Sequence, residues 1–64
     1  MARKDVAGYA SVDLDQIINN DLEWFLDTLA DRIGQPLLMD IHYRVVGHDR
    51  DTLLFLVRGE VDDA

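Results

Sequence analysis

The sequence predicts a small α+β domain, residues 1–64, in the order strand, helix, strand, strand, with a three-stranded sheet and one amphipathic helix packed on one of its faces. Three observations predict it. From Asn20 to Gly34, Leu22, Phe25, Leu26, Leu29 and Ile33 recur at the spacing that places side chains on one stripe of a helix. From Leu37 to Val46 apolar and polar residues alternate with the period of a strand, and Leu53 to Val57 is apolar at every position, as in a strand covered on both faces. A chain of 64 residues holds one domain with a modest core, and with no cysteine it has no disulfide or thiolate metal site to reinforce that core.

Residues 1–6 carry Arg3 and Lys4 without a periodic pattern and are expected to be frayed. In the stretch Ala7 to Leu14, Ala10, Val12 and Leu14 alternate with Tyr9, Ser11 and Asp13, which predicts the first strand. Asp13 and Gln16 have a capping-box spacing, so Leu14, Ile17 and Ile18 can form one helical turn before Asn19 and Asn20; a short helix over 12–18 is the rival reading. The main helix is expected to be capped by Asn20, with Glu23 reaching back, and to end at Gly34 before Pro36. The second strand, 37–46, places Leu37, Met39, Ile41, Tyr43 and Val45 on one face and Leu38, Asp40, His42, Arg44 and Val46 on the other. Residues 47–51 form a hairpin loop, the third strand runs from Thr52 to Arg58, Gly59 ends it, and 60–64 are again expected to be frayed.

A right-handed crossover from the first strand to the second leaves room for the third between them, which predicts the spatial order 1-3-2. One helix covers one face. On the other, Leu38, Val46, Leu54 and Leu56 are expected to form an apolar patch rimmed by Asp40, His42, Arg44 and Arg58, a surface for a second copy of the chain or a partner.

Thirteen acidic residues against six basic ones give a net charge of −7. Direct binding to nucleic-acid phosphates needs a basic patch, so this balance favours a basic protein surface as partner. Seven acids and no Lys or Arg lie between Asp5 and Asp31. Glu23, Asp27 and Asp31 recur at i, i+4 and i+8 on the helix face away from the core, a like-charge row that slightly destabilises an isolated helix. Asp13, Asp15 and Asp21 extend it, and Trp24 beside it has the character of an interface anchor. A solvated face, with Trp24 tucked against a neighbouring element, is the plainer alternative.

His48, Asp49 and Asp51 could be read as metal ligands, but a polar hairpin loop needs such residues for its turn; His42 near Asp40 has no nucleophile motif beside it. No phosphate-binding, dinucleotide-binding or metalloprotease signature occurs. The expectation is a protein that is not an enzyme, with no metal or cofactor. The longest apolar run, Leu53 to Val57, is far too short to span a bilayer and no signal peptide opens the sequence, which predicts a cytoplasmic protein.

In its short length, lack of cysteine, acidity and the row Glu23, Asp27, Asp31, the chain resembles the small phage-encoded DNA-mimic inhibitors, anti-CRISPR proteins among them. The resemblance lies in composition and one helix. It implies a stoichiometric inhibitor acting in a bacterial host, occupying the basic nucleic-acid channel of a defence complex. A small adaptor or antitoxin-like module, or a structural homodimer whose acidity only keeps it soluble, are the alternatives.

Overall fold

The computed structural model describes residues 2–63. Along the chain the elements are β1 (Ala2–Asp13), α1 (Leu14–Asn19), α2 (Leu22–Arg32), β2 (Met39–Asp49) and β3 (Thr52–Asp63). The sheet order is β1-β3-β2, with β3 antiparallel to both neighbours, so β1 and β2 run parallel at the two edges. The predicted order follows, with the helices between β1 and β2 folded onto one face of the sheet.

The termini correct the sequence reading. Residues 2–6 and 60–63, expected to be frayed, belong to one unbroken ladder from Ala2 opposite Asp63 to Asp13 opposite Thr52, and β3 continues past Gly59. Met1 and Ala64 lie outside the described residues. Near the opposite end of this ladder Leu14 N–H donates to Asp51 C=O at 2.7 Å, tying the start of α1 to the β2–β3 turn. The stretch 12–18 is divided: Val12 and Asp13 finish the strand and α1 begins at Leu14.

The expected cap of the main helix moves by one residue. Asp21, not Asn20, is the N-cap, its side chain accepting a hydrogen bond from the Trp24 backbone at 2.8 Å. Asn20 turns back and donates to the Gln16 carbonyl, and Asn19 donates to that of Asp15, so both asparagines close α1. At the other end Gly34, at φ 74°, donates to Asp31 C=O while Gln35 donates to Ala30 C=O, the paired bonds of a Schellman termination.

The core lies between α2 and the helix-facing residues of the sheet. Ala10 and Val12 from β1, Phe55, Val57 and Val61 from β3, Phe25, Leu29 and Ala30 from α2, and Leu38 are buried. Phe25, Tyr43 and Phe55 meet edge to face, with ring centroids 5.0–6.1 Å apart, and thereby join α2 to β2 and β3. Of the predicted stripe, Leu22 is 61% exposed, because it lies in the first turn of α2.

The second strand is also corrected. Pro36 and Leu37 form a turn closed by Leu38 N–H to Gln35 C=O, which leaves Leu37 82% exposed and carries Leu38 into the core at 8%. β2 then extends to Asp49 because it accommodates two one-residue bulges, between Met39 and His42 and between Val45 and Gly47. The hairpin loop shrinks to Arg50 and Asp51.

Candidate functional site

Two surfaces carry the residues singled out from the sequence: the helical layer and the sheet face opposite to it. On the helical layer Asp15, Asp21, Glu23, Asp27 and Asp31 are all exposed, whereas Asp13, also exposed, ends β1 on the opposite face, beside Thr52. Three come from one helix because α2 repeats every 3.6 residues, so Glu23, Asp27 and Asp31 descend one side of it. Asp21 sits at its N-terminus, where a carboxylate both caps the backbone and faces the positive end of the helix dipole. Asp15 lies in the first turn of α1, and Asp13 at the end of β1 accepts a hydrogen bond from the Thr52 hydroxyl at 3.0 Å.

Between residues 13 and 33 the only basic side chain is Arg32. Among the described residues, ion pairing is confined to Arg3, whose Nη1 lies 3.4 Å from Asp40 and 3.3 Å from Glu60, at the far end of the sheet. The five carboxylates of the helical layer therefore face solvent, with no cation of the described residues against them.

Trp24 is placed differently from the exposed anchor expected at this stripe. It is partly buried and packed against the core, so it borders the acidic surface instead of standing out from it. The sequence reading missed the apolar side chains that do stand out there. Ile18 is 69% exposed and Leu22 61% exposed, flanking Asp21 at the α1–α2 junction. Leu22 belongs to the predicted core stripe and Ile18 to the predicted helical turn, and an amphipathic pattern does not reveal where a helix overhangs the surface it packs on.

No protein-family model matches the chain, and neither does any curated protein or solved structure. The site must be judged on its own geometry.

Of the proposed apolar patch on the open face, the structure brings together Leu54 and Leu56, both partly buried along β3, and adds Tyr9, which stands opposite Leu56 and is 66% exposed. Leu38 is not part of it. Val46, the extra residue of a bulge, is 43% exposed. Arg44 lies opposite Leu56 and His42 opposite Arg58, so Arg44 and His42 flank the apolar strip on its β2 side while Arg58 follows it along β3. Asp5, Asp40, His42, Arg58 and Glu60 border a wide, shallow depression of about 480 Å³ at one end of this face. Among the described residues no three His, Asp or Glu side chains converge as metal ligands, and His48, Asp49 and Asp51 are exposed hairpin residues. No helix of the described residues is long and apolar enough to cross a membrane.

Proposed function

We propose that this chain is a non-enzymatic inhibitor of the phage-encoded type, which blocks the basic nucleic-acid-binding surface of a bacterial defence complex, a CRISPR effector, by imitating DNA. One observation supports this above the others: five exposed carboxylates of the helical layer, three of them in a row on a rigid helix, have no cationic partner among the described residues. Spaced carboxylates on a rod offer a partner's lysines and arginines what phosphates would offer. The net charge of −7 adds long-range attraction to a basic partner and repels nucleic acid itself.

The test is capture of partners from a bacterial lysate at low and high salt, followed by competition with DNA for the captured complex. Binding is expected to fall steeply with salt and to be displaced by DNA. Reversal of Glu23, Asp27 and Asp31 to Lys together should abolish it, while single neutralisations do little, because each exposed pair is worth about 0–1 kcal/mol. If the triple reversal leaves both fold and activity intact, the mimic reading is wrong. A second reading, a small adaptor or antitoxin-like module, is favoured by the uncovered strip of Tyr9, Leu54 and Leu56; there Leu56→Lys, and not the triple reversal, would abolish binding.

A further inference from the structure

Each edge strand carries a row of backbone N–H and C=O groups that no other strand of the chain pairs, and the two rows are built differently. β2 is broken by two bulges and by Asp40 at φ 52°, irregularities by which natural sheets resist further pairing. β1 has none of them. Its 12 residues pair with β3 without a register shift and contain no proline. So long and regular an edge is a template for another strand.

The order of charges along β1 selects the occupant. The strand opens with Arg3 and Lys4, followed by Asp5, and closes with Asp13, with Asp15 just beyond; Arg3, half exposed, also reaches Asp40 and Glu60 of its own chain. A second copy laid antiparallel sets the basic start of each strand against the acidic end of the other, twice by symmetry, whereas a parallel copy sets like against like. Placing Arg3 opposite Asp13 puts Tyr9 opposite Ala7 and leaves Gly8 on the two-fold axis. The exposed ring of Tyr9 then lies beside the small Ala7 of the other copy. Ile33, whose Cγ2 stands 2.9 Å from where a β-carbon on Gly8 would be, meets its symmetry mate across the axis.

We propose that the chain forms a two-fold dimer by antiparallel pairing of β1 with β1 of a second copy, giving one continuous six-stranded sheet. The axis is perpendicular to the sheet, so both acidic helical layers face the same way. This inference stands independently of the DNA-mimic reading.

Charge reversal tests it in a form specific to this pairing. By sedimentation velocity the unmodified chain is expected to dimerise, whereas Arg3→Glu alone and Asp13→Arg alone should each weaken dimerisation roughly tenfold or more, since symmetry applies each reversal twice. An equimolar mixture of the two variants should dimerise again, because every facing pair is then of opposite sign. As there is no native cysteine, Ala7→Cys and Tyr9→Cys, both at exposed positions, give a second measurement that does not depend on the charge variants folding. Mixed and oxidised, they should cross-link to each other. The proposal is overturned if the unmodified chain sediments as a monomer at about 100 μM, well above the dissociation constant of a specific interface. It is equally overturned if a dimer forms that ignores both reversals, or if the mixed cysteine variants do not cross-link.

Discussion

Two glycines on the helix-facing side of the sheet show how closely the layers approach. A β-carbon on Gly59 would stand 2.7 Å from Leu38 and 2.7 Å from the Met39 carbonyl oxygen, and a backbone oxygen cannot rotate away. Gly59→Ala is therefore expected to cost about 1–3 kcal/mol in urea denaturation. Gly8→Ala meets only the Ile33 side chain, at the end of α2, and should cost less. The cap of α2 allows a similar contrast. Asp21→Ala removes the acceptor of the Trp24 N–H and should lower stability by about 1 kcal/mol, measured the same way. Asn20→Ala, which removes only a bond to the Gln16 carbonyl at the end of α1, should cost a fraction of that. The sequence reading places the cap at Asn20; Asn and Asp are both good caps, and which of the two neighbours is used depends on how α1 ends, a matter of geometry.

The elements that were legible in the sequence are those whose pattern is set by burial on one side. α2 and the central β3 announce themselves because their apolar residues have no other place to go, and the order β1-β3-β2 follows from crossover handedness. The first half of β1 was not legible. Ala2 to Asp5 are exposed, so backbone pairing alone makes them a strand and leaves no mark on residue type. β2 was misread for a related reason: each bulge shifts the alternation by one residue, and the turn at Pro36 and Leu37 reverses which leucine is buried. The acidic stripe was readable because a helix maps sequence spacing directly onto a face. Its apolar neighbours Ile18 and Leu22 were not, since their exposure depends on where the helical layer ends. The hairpin carries a strained position of its own, for Arg50 holds φ 55° as the first residue of a two-residue turn where glycine is preferred. Arg50→Gly is expected to stabilise the domain by about 0.5–1 kcal/mol, seen as a higher urea midpoint with an unchanged slope.

At the scale of the molecule, the chain carries a net charge of −7 and its described residues extend over 41 × 21 × 15 Å. So many carboxylates on so thin a body repel one another in the folded state more than in the expanded chain, and added salt screens that repulsion. The thermal midpoint is expected to rise from low to moderate sodium chloride; an unchanged midpoint would mean that the acids are already too far apart to interact. The position of β3 also has a kinetic meaning. The strand at the centre of the sheet is the last of the three along the chain, and its partner β1 is the first, so the longest ladder in the molecule closes the largest loop. Neither outer strand has a hydrogen-bonding neighbour until Thr52–Asp63 arrives, and the entropy of loop closure must be met before any pairing is gained. On the ribosome, α1 and α2 are too short to persist without the sheet they pack on, so the fold must wait for β3 to leave the exit tunnel, and the chain then folds in one late step.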